Sequence, residues 1–144
     1  MDLKPKNGIG DLLFGMKQKD VEVFYGKPDK HFRDEDKNVI YVYNDEKLRL
    51  TFYEDEDFRL GYLICANPGL LLFGDKVIGR AVEPIKAFLE PKGFKVWEEE
   101  DFDLAENHFN EANWLILQAE FGFISKVELG AVINAKDEFE WKFK

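Results

Sequence analysis

An α+β domain built from two helix-plus-antiparallel-meander repeats, sharing one sheet with both helices on one face, is the fold this 144-residue sequence predicts. Three observations lead there. Two short amphipathic stretches carry helical spacing and end in Gly and Pro; runs of alternating apolar and polar residues follow each; and short matches recur in the same order in the two halves. The length is one domain's worth, spanning 1–144, with pseudo-repeat halves at about 8–67 and 68–144.

The first helix is expected over Lys17 to Tyr25, where Val21, Phe24 and Tyr25 recur at spacings of three and four. Gly26 offers a left-handed stop, and Pro28 prevents the helix from resuming. Val39–Tyr43 is β-branched and aromatic, and Leu48–Glu54 alternates Leu48, Leu50 and Phe52 against Arg49, Thr51 and Tyr53, so both read as strands joined by an Asn44-Asp45-Glu46 turn. A third strand, Phe58–Cys65, follows the acidic run Glu54-Asp55-Glu56-Asp57. After Asn67-Pro68-Gly69 the second cycle opens, Leu72-Phe73-Gly74 repeating Leu13-Phe14-Gly15. Its helix is expected from about Gly79 to Glu90, with Val82, Ile85, Phe88 and Leu89 on one face, Pro84 in the first turn, and Pro91 and Gly93 ending it. Strands are expected at Phe94–Trp97, Trp114–Phe121 and Phe123–Ile133, and Phe139, Trp141 and Phe143 alternate with charges in a terminal one. Leu60-Gly61-Tyr62-Leu63-Ile64 and Leu129-Gly130-Ala131-Val132-Ile133 close the two cycles alike. Joining the meanders removes a pair of unprotected edges; the helices would cover the face of Leu48, Leu50 and Phe52 and leave Arg49, Thr51 and Tyr53 open.

Composition narrows the function. Hydrophobic residues make up 45% of the chain and Phe alone accounts for 14 residues, enough for a dense core, which excludes disorder. A net charge of −9 repels nucleic acid from most faces and favours encounter with a basic partner. Cys65, the single cysteine, permits no intrachain disulfide and fits a cytoplasmic protein. The longest apolar run, Leu70–Phe73, is far too short for a membrane span.

Catalytic equipment is sparse. Ser125 is the only serine and Thr51 the only threonine, and Cys65 closes an apolar strand where a buried thiol is the common outcome. His31 and His108 are isolated, so no metal site is expected, and the acidic runs lack the Gly-centred spacing of a calcium loop. No Walker or dinucleotide glycine pattern is present, and no cofactor is expected.

Binding residues are easier to nominate. Tyr41, Tyr43 and Tyr53 offer large contact area with a polar tip, and Arg49 shares the open face. Tyr62 and Trp114 are expected to be buried. The acidic segment Glu98 to Glu111, an insertion relative to the first half, contributes Glu98, Glu99, Glu100, Asp101 and Asp103, carboxylates that could stand in for substrate phosphates against a basic toxin.

The stretch Leu13-Phe14-Gly15-Met16-Lys17 through Val21 to Gly26-Lys27-Pro28-Asp29 resembles the opening of the SmpA/BamE outer-membrane lipoprotein fold, and the tandem half-cycles resemble the plan of the β-lactamase inhibitor protein family. The chain lacks the lipobox cysteine of the one and the paired cysteines of the other, so neither partner carries over. What the resemblance implies is a duplicated sheet presenting an aromatic face to another protein, as bacterial toxin-immunity proteins do. The expectation is therefore a non-enzymatic immunity or inhibitor protein with an acidic, aromatic surface. The alternatives are a structural or adaptor domain that self-associates, as a homodimer, through an edge such as Phe139–Phe143, and a hydrolase using an unrecognised carboxylate pair.

Overall fold

A computed structural model describes residues 1–144. The chain opens with three short strands, β1 (Asp2–Lys4), β2 (Gly8–Ile9) and β3 (Leu12–Leu13), then helix α1 (Gln18–Tyr25) and a meander of β4 (Lys30–Arg33), β5 (Val39–Tyr43), β6 (Leu48–Tyr53) and β7 (Arg59–Cys65). A hairpin of β8 (Leu71–Leu72) and β9 (Asp75–Lys76), helix α2 (Val82–Leu89) and a second meander of β10 (Glu98–Phe102), β11 (Ala105–Asn110), β12 (Leu115–Glu120) and β13 (Phe123–Gly130) complete it. These strands make two sheets. One has eight strands in the order β10-β11-β12-β13-β7-β6-β5-β4, antiparallel throughout; the other has five, in the order β3-β2-β1-β8-β9, with β1 and β8 parallel.

The expected class, α+β with one shared sheet under a layer of helices, is overturned: the protein is mostly β, with two sheets and two eight-residue helices. The helices are too short to form a layer. From α1 only Val21 is buried, and from α2 Val82, Ile85 and Leu89, while the small sheet fills much of the same core through Leu3, Ile9, Leu12 and Leu72. The small sheet escapes sequence reading because two-residue strands carry no period, and because the β1–β8 pairing joins residues some seventy positions apart, Leu3 opposite Leu72.

Local signals still explain much of the local structure. Asp20 accepts from the Lys17 backbone N–H at 3.0 Å to start α1, and Gly26, at φ 71°, closes it with its N–H on Glu22 O at 2.8 Å. Along β6, Leu48, Leu50 and Phe52 are buried and Arg49 is exposed, the period of two that a one-sided strand requires. Phe73-Gly74 and Phe121-Gly122 turn two-residue hairpins, with positive φ at both residues (51° and 85°, 52° and 81°).

Other expectations fail. Phe94–Trp97 is irregular, not a strand, and so is the C-terminal stretch, where one bridge links Ile133 to Phe139 and the N–H groups of Lys142 and Phe143 both reach Phe14 O at 3.0 Å. The matched tripeptides take different places: Phe14 is fully buried after β3, whereas Phe73 is a half-exposed hairpin tip. Leu60–Ile64 lies inside β7, but Leu129-Gly130 ends β13 and Ala131–Ile133 leaves the sheet. Identical short strings acquire their environment from what packs on them.

Candidate binding surface and buried ionic cluster

The outer side of the large sheet, opposite the core, carries one row that runs through all eight strands in register: Glu98, Phe109, Ile116, Glu128, Ile64, Arg49, Val42, Lys30. Glu98, Arg49 and Lys30 are exposed, and the five between them are half-buried. Arg49 lays its guanidinium over the Phe32 ring at 5.6 Å. The Tyr62 hydroxyl donates to Glu128, and burial first, then that carboxylate, pushes its pKa up.

Two glycines in this sheet seat aromatic rings. A Cβ on Gly61 would stand 2.1 Å from Tyr53 Cε2, and one on Gly130 would stand 2.1 Å from Trp114 Cδ1. Tyr53 is covered in turn by Phe139 at 5.6 Å, which stacks on Trp141 at 4.8 Å; Trp114 meets Phe109 edge-on at 5.1 Å and stays 37% exposed. Tyr62 and Trp114 are thus more open than their sequence suggests.

The nominated residues do not form one site. Tyr41 and Tyr43 are 5% and 2% exposed and belong to the core, which corrects their place on an open face. Val39, Tyr41 and Tyr43 point inward on β5, and both hydroxyls are used there: Tyr41 donates to Glu22 at 2.7 Å and Tyr43 to Gly26 O at 2.8 Å, tying α1 to the sheet. Arg49 and Tyr53 are on the outer face, but the tail covers Tyr53. The acidic segment is no loop; it is the edge hairpin β10–β11. Register divides its carboxylates, Glu98 and Glu100 outward with Phe109 and Asn107, Glu99 and Asp101 toward the core side with His108 and Glu106, and Asp103 at the tip with φ 55°. Arg49 and Glu98 are five strand spacings apart, about 24 Å.

Behind that hairpin lies a cluster the sequence reading missed. His108 is 1% exposed; its Nδ1 stands 3.1 Å from Lys86 Nζ and its Nε2 3.1 Å from Glu106 Oε1. Nδ1 also lies 3.3 Å from Glu99 Oε1, so Lys86, Glu99 and His108 meet in one three-way contact. Lys86 also donates to Glu99 at 2.9 Å, lies 3.6 Å from Glu83 and faces the Trp97 ring at 5.7 Å. Its hydrogen bond and charge hold the Glu99 carboxyl below the ordinary range. Candidate ligand atoms of Glu83, Glu99 and His108 lie within 4.8 Å of one another, a spacing a divalent cation could use, but the Lys86 ammonium stands among them and supplies the positive charge itself. The available signal was Lys86 one turn from both Val82 and Leu89, a charge inside an apolar stripe. The nucleophile candidates lie elsewhere. Ser125 donates to Gln118 O at 3.3 Å, and Cys65 is buried, which pushes its thiol up and away from the reactive thiolate.

No family profile matches the chain, and no curated protein does. Solved structures do share its fold. A cysteine-rich secretory protein from Staphylococcus aureus superposes with a TM-score of 0.53 at 13% identity, covering 99% of this chain and 53% of that one. The uncharacterized protein yfeY from Escherichia coli gives 0.52 at 13% identity, covering 87% of this chain and 97% of that one. An extracellular protein containing an SCP domain from Bacillus anthracis gives 0.51 at 9% identity, covering 81% and 43%. The chain spans about half the length of the first and last of these. At such identities the likeness is one of fold. No helix is long and apolar enough to cross a membrane.

Proposed function

We propose that this chain is a non-enzymatic binding protein that holds a partner protein against the outer face of its large sheet. One observation carries the reading: on a face that the C-terminal tail covers only around Tyr53, half-buried Phe109, Ile116, Ile64 and Val42 share one row with charged side chains, Glu98 and Glu128 toward one end and Arg49 and Lys30 toward the other. Apolar side chains aligned in one row and interleaved with charges of both signs supply the mixed apolar and polar surface of a non-obligate interface. On the β10–β13 side the outward charges Glu98, Glu100 and Glu128 outnumber Lys126, so the partner presents basic groups there.

The specific form of the proposal is an inhibitor or immunity protein for a basic toxin domain, whose cationic groups would meet these carboxylates in place of phosphates. The test uses the tethered full chain and an Ile64→Asp/Ile116→Asp variant, with circular dichroism as the check on folding. The wild type should retain a basic protein whose association slows as salt rises, and the variant should not. Retention of the same protein by both, or of none, rejects the reading.

A second reading has its own support: two structural neighbours are about twice as long as the matched region and are described as secretory or extracellular. In that reading the domain works as one module of a longer secreted protein and the cytoplasmic placement falls. Fractionation of the source cells with an antibody to the chain decides between them.

A further inference from the structure

The large sheet ends in two open edges of opposite charge. At one end β4 reads Lys30-His31-Phe32-Arg33; at the other β10 reads Glu98-Glu99-Glu100-Asp101-Phe102, and every residue of both is exposed. No backbone group of either strand bonds to anything beyond its own ladder, so each edge presents unpaired N–H and C=O groups. The acidic neighbours of β4 lie outside the strand and are tied to its flanking turns. Asp29 accepts from Asn44 N at 2.7 Å, and Asp34 accepts from Asp36 N and Asn38 N at 2.9 Å. On β10 only Glu99 is neutralised, by Lys86.

We propose that the β10 edge of one copy of this chain pairs with the β4 edge of another, continuing the sheet from molecule to molecule. Charge excludes the alternatives: β10 against β10 sets carboxylates opposite carboxylates, and β4 against β4 sets Lys30 and Arg33 against their like. Direction favours the mixed pair. Seven antiparallel steps separate the two edges, so β10 and β4 run in opposite senses within one molecule, and a second copy with the same face inward brings its β10 antiparallel to β4. Keeping the inward faces together restricts the register to steps of two residues. The register that pairs all of β4 sets Arg33 opposite Glu99 and His31 opposite Asp101, with Lys30 diagonal to Glu100 and Phe32 diagonal to Phe102. Both phenylalanines lie on the outer face, 43% and 40% exposed in the single chain. Strand twist over eight strands amounts to roughly half a turn per copy, so the contact is heterologous and propagates as an open assembly.

The experiment is sedimentation velocity and light scattering on the full chain across concentration at low and high salt. Wild type should grow in mass with concentration at low salt, and high salt should weaken association about threefold, the screening of exposed contacts of which Lys30 with Glu100 is the one free ion pair. Lys30→Glu/Arg33→Glu has two acidic edges, and Glu100→Lys/Asp101→Lys removes the net acidity of β10 and sets lysines against Lys30 and His31, so each alone should remain monomeric while an equal mixture, which keeps one native β10 and one native β4, associates. Wild type that stays monomeric at low salt, a mixture that does not associate, or variants that associate alone as wild type does would each overturn the proposal. Should a variant fail to fold, hydrogen exchange of wild type decides: protection of the 30–33 and 98–102 amides that rises with concentration supports edge pairing, and protection independent of concentration overturns it.

Discussion

Replacing Gly61 with alanine probes the packing of the outer face at one atom. Gly61 lies buried in β7 under the Tyr53 ring, where an added Cβ would be 2.1 Å from Cε2 and 2.3 Å from Cδ2. Carbon atoms in contact sit about 3.5–4.0 Å apart, so the ring must retreat by about 1.4–1.9 Å. Its way is blocked. Phe139 lies 5.6 Å from Tyr53 and stacks on Trp141, and the chain beyond is held by the bonds of Lys142 and Phe143 to Phe14 O. Overpacking of this kind costs about 1–3 kcal/mol, while removing a glycine from a strand returns about 0.5–1. The net is about 0–2.5 kcal/mol, centred near 1, or a fall of roughly 2–4 °C in Tm at the centre of that range for a domain of this size. Thermal unfolding followed by circular dichroism measures it, and a double-mutant cycle with Tyr53→Ala tests the cause. With the ring gone, Gly61→Ala should be neutral or mildly stabilising. An equal loss in both backgrounds would refute the steric account. Gly130→Ala, beneath the more exposed Trp114, should cost less because that ring can swing into solvent.

Three further outcomes are expected. Burial, with a smaller contribution from Asp34, pushes the Tyr53 hydroxyl up to about 12 from its ordinary 10. The fold therefore prefers the neutral phenol: its contribution is intact below pH 10 and lost as pH rises through 12, so Tyr53→Phe should spare about 2 kcal/mol of the alkaline loss in urea titrations, and identical alkaline limbs would contradict this. Lys86→Met should destabilise by about 1–3 kcal/mol by removing the ammonium that bonds Glu99 and stands 3.1 Å from buried His108 Nδ1, and should return the Glu99 carboxyl toward its ordinary titration range by NMR. Because Glu99 is depressed in the wild type, its stabilisation is present at neutral pH and disappears as pH falls through the lowered value; an unchanged acid limb in the variant would count against the pairing. Cys65, fully buried with its thiol pushed up, should react with a thiol reagent only as the protein unfolds, at a rate that tracks the urea dependence of unfolding; prompt reaction of the native protein would contradict its burial.

The candidate surface was legible only in part. The alternation of Leu48, Leu50 and Phe52 places Arg49 outward without any structure, because one buried face forces a period of two. The same reasoning fails for β5, where Val39 to Tyr43 is apolar or aromatic at every position and the alternation that would put Tyr41 inward is absent. The acidic run Glu98 to Asp101 looks like a solvated loop because charge is its strongest local property; pairing with β11 makes it a strand, and no residue within the run encodes that pairing. Lys86 was readable as an anomaly in an apolar stripe, but its partners Glu99 and His108 come from two later strands.

By itself the sequence determined the two short helices and the Gly26 stop of the first, the alternating strands β6, β7 and β12, the acidic balance and the buried single thiol. Each depends on residues a few positions apart, where helix and strand periods and turn sterics act. Tertiary structure alone decided that the small strands form a second sheet, that Tyr41 and Tyr43 belong to the core, that Phe14 and Phe73 differ, and that a basic strand and an acidic strand end up as opposite edges of one sheet. Those outcomes depend on which distant segments pair, and burial and backbone hydrogen bonding assign a strand its neighbours only when the whole chain has closed around them.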